Sequence, residues 1–197
     1  MWNARYAAPG FLFGTEPARF LVDQRAYLKR GQRALAIADG EGRNSVYMAS
    51  QGLRVTAQDA SDVAIDKARG LAMAREARVD FRLADLRVWD WEEGVYDLVA
   101  AIFIQFAEPG FRDQIFSGLR KTLKPGGVLL LHGYRPEQLA YGTGGPPCAG
   151  NMYTTDLLAR SFGDMEILRL EGYDREVDEG AGHSGMSALI DLVARKR

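Results

Sequence analysis

The stretch Leu35-Ala-Ile-Ala-Asp-Gly-Glu-Gly-Arg-Asn44, followed by Asp59 at the end of Leu53-Arg-Val-Thr-Ala-Gln-Asp59, decides the fold of this chain. An apolar, β-prone run leads into a turn with glycine at 40 and 42, and an amphipathic segment follows. Glycines there let backbone approach a ligand closely. A second short strand then delivers a carboxylate, which can accept hydrogen bonds from two vicinal ribose hydroxyls. A Gly-x-Gly pair alone usually marks a turn or a helix end. The acid at this spacing is what turns the pair into a nucleoside-site pattern.

Working outward, helical and strand periodicities alternate. Residues Met1 to Thr15 carry Trp2, Tyr6, Phe11 and Phe13 among Pro9, Gly10 and Gly14, a composition that suggests an ordered arm or lid and not a disordered tail. Thr15 is placed to N-cap a helix opening Glu16-Pro17, with Phe20, Leu21, Tyr27 and Leu28 on one side. Strands are expected at Ala34–Ala38, Leu53–Ala57, Val79–Leu83, Val95–Phe103 and Val128–His132. Between them fall helices after Asn44, over Asp62–Ala77 with Ser61 or Asp62 as cap, and over Arg112–Leu123 before Lys124-Pro-Gly-Gly127.

The tail changes the rhythm. After a helix near Thr155–Phe162, two strands, Met165–Arg175 and Met186–Ala194, are joined by Glu176–Gly185 with no helix between them, so they must be antiparallel. Parallel units closed by a hairpin predict an α/β fold: a Rossmann-like three-layer αβα sandwich, the mostly parallel sheet ending in one reversed strand. Residues 1–197 are read as one domain, with 1–15 the arm and 16–197 the core.

Composition narrows the class. The chain has 197 residues, 25 basic and 26 acidic, for a net charge of -1. It lacks the basic footprint of a protein that works on nucleic acid. The one cysteine, Cys148, has no internal partner, and Met1-Trp-Asn-Ala-Arg opens without a basic and then apolar leader. Apolar runs such as Leu98–Ile104 are too short to span a bilayer. A cytoplasmic location without membrane contact is expected. Two distant histidines and one cysteine offer no metal-ligand spacing, so no metal site is expected.

Which nucleoside cofactor follows from what surrounds the glycines. A dinucleotide site would be expected to carry a third Gly or Ala at position 45, where this chain has Ser45. Asp85, followed by Leu86 and the aromatics Trp89 and Trp91, can accept from an exocyclic adenine amine. Acids for ribose and adenine, with no phosphate-binding lysine near the turn, describe an adenosine without phosphates and point to S-adenosylmethionine.

With these residues in view, the chain resembles a class I S-adenosylmethionine-dependent methyltransferase, and is similar to the small bacterial methyltransferases of the tellurite-resistance type. The resemblance rests on Phe13-Gly-Thr-Glu-Pro17, Gly40-Glu-Gly-Arg-Asn44, Ala84-Asp-Leu86, Leu123-Lys-Pro-Gly-Gly127 and Tyr141-Gly-Thr-Gly-Gly-Pro-Pro147. It implies a seven-stranded sheet with an antiparallel last strand. Cofactor contacts are expected from Asp39, Gly40, Gly42, Arg43 and Asn44, and from Asp59, Ala60, Asp85 and Leu86. Two departures stand out. The family's first-strand acid usually lies two residues before the first glycine, whereas Asp39 is adjacent to Gly40. Asn44 stands where a third glycine is usual and is expected to cap the helix.

Methyl transfer from a sulfonium is an in-line displacement that depends mainly on positioning. In an open parallel sheet the ligand lies outside the carboxyl ends of the strands. That edge is expected to hold Gln105 near the transferable methyl, and Tyr134, Arg135, Tyr141, Arg175 and His183 around a small-molecule acceptor, a thiol or a chalcogen oxyanion being one class. The bland alternatives are that His183 is a solvated turn residue, His132 a packed strand histidine, the arginines weakly paired surface charges and Trp89/Trp91 core packing. Rival functions are a nucleotide-linked oxidoreductase and a catalytically silent cofactor-binding module. Both monomer and homodimer are open.

Overall fold

The structure, a computed structural model, describes residues 2–197; Met1, the first residue of the expected arm, lies outside the described residues. Seven strands form one sheet: β1 Arg33–Ile37, β2 Arg54–Asp59, β3 Val79–Leu83, β4 Tyr96–Ile102, β5 Leu123–Tyr134, β6 Glu166–Asp178 and β7 Ser184–Arg195. The helices are α1 Trp2–Tyr6, α2 Arg19–Asp23, α3 Arg43–Ser50, α4 Asp62–Ala74, α5 Pro109–Thr122, α6 Gln138–Tyr141 and α7 Thr155–Ser161. The strand order is β3-β2-β1-β4-β5-β7-β6. Neighbours from β3 to β5 pair parallel, and β7 runs antiparallel to both β5 and β6, as the hairpin argument required.

The apolar runs at Ala34–Ile37 and Leu98–Ile102 become the two central strands because both of their faces are covered. On one face Leu35, Ile37, Val99, Ala101, Leu129 and Leu131 pack with Ile115, Phe116 and Leu119 of α5 and Leu158 of α7. On the other, Ala34, Ala36, Leu98, Ala100, Leu130 and Val193 meet Phe20 and Leu21 of α2 and Met48 of α3. Fully burying a side chain the size of Phe20 or Leu119 is worth about 1.5–3 kcal/mol. Strand order reverses between β1 and β4, so the crevice of this sheet opens at their carboxyl ends.

Several local expectations shift. Thr15 caps nothing: α2 begins at Arg19, its N-cap Ala18 has no side-chain bond, and the Ala18 N–H donates instead to Asn44 Oδ1 at 2.9 Å. Asn44 therefore anchors α2, while Gly42 sits at the N-cap of its own helix. Ser61 does cap α4, accepting from the Ala64 N–H. Helix α5 starts a turn earlier than its apolar period suggested, with Pro109 in its first turn. Lys124-Pro-Gly-Gly127 lies inside β5, where the register with β4 jumps from Tyr96↔Leu123 to Leu98↔Val128. β6 and β7 extend further than expected and leave only residues 179–183 as their turn. The β3–β4 crossover contains no helix; Trp89 and Trp91 pack on the core there, Trp91 against Gly118 of α5. Among the described residues, no helix is long and apolar enough to cross a membrane.

Candidate active site

At the crevice, two adjacent strands end in strained backbone: Ala38 after β1 has φ 44° and Phe103 after β4 has φ 56°. Left-handed conformations in residues with a Cβ cost on the order of 1–3 kcal/mol each and gather at ligand sites. Gly40 and Gly42 follow with φ 62° and 90°. A Cβ on Gly42 would lie 2.7 Å from the Ala68 Cβ, so this glycine is what lets α3 approach α4.

Two carboxylates underlie the turn. Asp59 Oδ2 accepts from the Gly40 N–H and Oδ1 from the Ser61 N–H, each at 2.8 Å. Burial raises its pKa, opposed by the hydrogen bonds from the Ser61 and Gly40 N–H groups. Each carboxylate oxygen offers two lone pairs, so one per oxygen remains for a vicinal hydroxyl pair. Asp39 turns to the start of α3, where it accepts from the Ser45 N–H at 3.2 Å and from the Ser45 hydroxyl. Its carboxyl is pushed up to about 7 by burial, which outweighs the Ser45 hydrogen bonds. Ser45, in the place of a third glycine, thus fixes the first-strand acid. Gln58, which no motif flagged, holds three strand ends together: its Oε1 accepts from the Ala38 N–H at 3.1 Å and its Nε2 donates to the Ala84 carbonyl.

Of the remaining expected cofactor residues, Ala60 is exposed just beyond Asp59. Asp85 is exposed at the end of β3, where it accepts from the Arg87 N–H at 2.8 Å and pairs with the Arg87 guanidinium at 3.2 Å. Leu86 is buried in the core. Arg43 is buried and meets Glu179 at 2.8 Å, off hydrogen-bond geometry.

The expected arm closes this edge. Tyr6 is buried, its hydroxyl 2.9 Å from where a Gly40 Cβ would stand. Glu41, the residue between the glycines, receives Lys67 on Oε1 at 2.9 Å and the Leu12 N–H on Oε2 at 2.7 Å; Lys67 also donates to the Ala8 and Gly10 carbonyls. The β6–β7 turn closes from the other side. The Gly182 N–H donates to the Leu12 carbonyl at 3.1 Å, and Phe13 packs on His183 at 4.5 Å between ring centroids.

The acceptor-side expectations divide. Tyr134 and His183 come together, ring centroids 5.7 Å apart, with Phe103 between them at 4.9 and 4.1 Å. His183 is not a solvated turn residue: burial, and then the charge of Arg43, push its pKa down to about 3. Burial likewise pushes the Tyr134 hydroxyl up. Tyr134 Oη and His183 Nδ1 are buried without a hydrogen-bond partner, and the Arg43–Glu179 ion pair is buried with them. Buried polar atoms are normally paired, so such a cluster marks where a ligand or water belongs.

Two expectations are corrected. Gln105 does not point at a ligand: its Oε1 accepts from the Tyr134 N–H at 2.6 Å and its Nε2 donates to the Tyr134 carbonyl at 2.7 Å, tying the ends of β4 and β5. Arg175 lies within β6 opposite Ser187, exposed, paired with Asp23 at 3.5 Å and stacked on Tyr173. Arg175 shares its face of β6 with Tyr173 and Val177, but its contacts with Asp23 and the Tyr173 ring hold it at the surface. Arg135 and Tyr141 both engage Asp174 at the surface. Among the described residues, no group of three or more His, Cys, Asp or Glu is placed to hold a metal ion.

Residues 34–127 match the family model described as a methyltransferase domain. A protein of Synechocystis sp. described as an uncharacterised methyltransferase is 32% identical over 119 residues, 60% of this chain and 54% of that protein. The match thus spans about half the length of that relative. A SAM-dependent methyltransferase from Methanosarcina mazei superposes with a TM-score of 0.74 at 18% identity, covering 92% of this chain and 98% of its own. TehB from Haemophilus influenzae gives 0.74 at 18% identity over 100% of this chain and 66% of its own. At that identity the two structures establish the fold. The methyltransferase-domain match includes the glycine turn and Asp59 and ends before Tyr134, Glu179 and His183.

Proposed function

We propose that the protein is an S-adenosylmethionine-dependent methyltransferase acting on a small-molecule acceptor. The observation that carries this reading is the Asp59 carboxylate, clamped by the Gly40 and Ser61 N–H groups, with one lone pair per oxygen left for two ribose hydroxyls. The residues present fit an adenosine: two glycines without side chains over the strand end, an acid below them, and Ser45 bonded to Asp39 where a dinucleotide site would need close packing. When bound, the cofactor supplies a methyl group on a positively charged sulfur.

The chain supplies alignment and exclusion of water. The arm, through Tyr6 and Phe13, and the turn, through His183, enclose the edge where the transfer would take place, and such positioning can contribute about 7–11 kcal/mol to a displacement. The unpartnered Tyr134 Oη and His183 Nδ1 face the acceptor. A thiol or a chalcogen oxyanion is the acceptor class the tellurite-resistance resemblance suggests, and the balanced charge gives no footprint for nucleic acid.

Calorimetric titration with S-adenosylhomocysteine and with NADH tests the cofactor: heat with the first only is expected, and heat with NADH only would establish the oxidoreductase. Release of S-adenosylhomocysteine during incubation with thiols, oxyanions, amines and phenols tests catalysis. Binding without turnover across that panel would make the chain a silent cofactor-binding module.

A further inference from the structure

His132, expected as a packed strand histidine, is packed but not inert. It faces Asp191 across β5 and β7, its Nδ1 2.7 Å from Asp191 Oδ1, and the two residues are 3% and 2% exposed. Asp191 is held from β6 as well: Tyr173 Oη donates to Oδ1 and Arg169 Nε to Oδ2, both at 3.1 Å. Glu171, the register partner of Asp191, is drawn off by Arg169 at 2.7 Å. The imidazole cannot turn, because it stacks on Phe20 of α2 at 4.9 Å and meets the edge of the strained Phe103 at 4.7 Å. Among the described residues, no protein group bonds its Nε2.

We propose that His132 is the general base of the methyl transfer and Asp191 its positioning residue. This inference rests on the methyltransferase reading above. An ionised carboxylate can only accept, so the shared proton belongs to Nδ1 and Nε2 is the nitrogen left to take up a proton. Nδ1 is taken by Asp191 on β7, and the ring also contacts Phe103 beyond β4, which itself packs on His183 at 4.1 Å. His183 is a poor base because of its burial beside Arg43. Stability alone is a weak reason for the dyad, since a buried ionic pair rarely outperforms apolar residues of similar volume.

In the step, Nε2 takes the proton of the acceptor X–H as X bonds to the methyl carbon. The electron pair of the broken carbon–sulfur bond stays on sulfur, leaving a neutral thioether. The positive charge passes to the His132 imidazolium beside Asp191, and the proton then leaves to water. A positioned base of this kind contributes about a hundredfold or more.

The chain's two histidines make the tautomer directly readable by NMR with isotope-labelled histidine, the signals assigned with His183→Gln. In the native protein at neutral pH, His132 should show a protonated Nδ1 and a bare Nε2, and Asp191→Asn should move the proton to Nε2. Kinetics add a test that a structural role would not satisfy. His132→Gln and Asp191→Asn should slow methylation of 2-mercaptoethanol, protonated at neutral pH, by about a hundredfold or more, and leave methylation of ionised thionitrobenzoate nearly unchanged. A protonated Nε2 in the native protein overturns the proposal, as does equal loss with both thiols or no loss with either. Should the variants not fold, the native tautomer still decides. Failure of the native protein to methylate either thiol overturns the dyad's role, whereas S-adenosylhomocysteine binding, measured separately, decides the cofactor reading alone.

Discussion

The two edges of the sheet contrast sharply. At the amino ends of the strands lies the larger hollow, an open trough of about 690 Å³ lined by Arg33, Arg54, Arg69 and Arg78 with Met73 and Phe81. At the carboxyl ends the space is filled by Tyr6, Phe13 and His183, and a void of about 10 Å³ beside Asp39, Asn44 and Ile102 has room for little more than one water. Yet the strained Ala38 and Phe103, the buried acids and the unpartnered polar atoms all belong to the filled edge. A hollow records what nothing covers, whereas strain and buried charge are costs that persist only where something compensates them. The carboxyl edge is the candidate site for that reason.

The largest expected effect comes from splitting the ion pair under the β6–β7 turn. Arg43→Met leaves Glu179, whose side chain is 12% exposed, without its cation and should lower stability by about 3 kcal/mol in denaturant melts. A loss below 1 kcal/mol would show that the filled edge is as solvated as the open one. Next, Asp59→Ala should weaken S-adenosylhomocysteine binding by about a hundredfold, the worth of one or two hydrogen bonds to a charged group. Unchanged affinity by calorimetry would move the site elsewhere.

Gly180→Ala sharpens the contrast from the arm's side. Its φ is 80° and a Cβ would meet the Gly14 nitrogen at 2.5 Å, so about 1–3 kcal/mol should be lost, with faster amide exchange at Leu12–Gly14. The two buried titrating groups have opposite signs. His183 keeps a folded pKa of about 3 against 6.5 unfolded, so the unfolded chain binds the extra proton between those values. The native protein should therefore lose stability as pH falls below 6.5, at a limiting slope of about 1.4 kcal/mol per pH unit, and His183→Gln should remove that slope. Asp39, raised to about 7 from 3.8, contributes stability present below 3.8 and lost as pH rises through about 7, so Asp39→Asn should flatten the neutral limb. The smallest effect is expected at the open edge. Arg54→Ser should change stability by no more than about 0.5 kcal/mol and leave S-adenosylhomocysteine affinity unaltered; a loss of affinity would make the trough part of the site.

What was legible in the chain was local. Strand, glycine turn, helix, strand and acid lie within 25 residues, 35–59, and their chemistry is set by period, turn geometry and a cap. The closing hairpin was legible too, because two strands without a crossover helix can pair only antiparallel. The illegible contacts join residues far apart. Glu41 meets Lys67 and Leu12, Gln58 reaches Ala84, Gln105 is consumed by the backbone of Tyr134, and His132 meets Asp191.

The sequence by itself determined the parallel α/β plan, the reversed strand and the glycine turn with its acid, since each follows from neighbours along the chain. Only the tertiary structure decided that Arg175 is taken up by Asp23 at the surface, that His183 is buried and neutral, and that His132 has a carboxylate. Those outcomes depend on register between strands, where a slip of one residue sends every side chain to the opposite face.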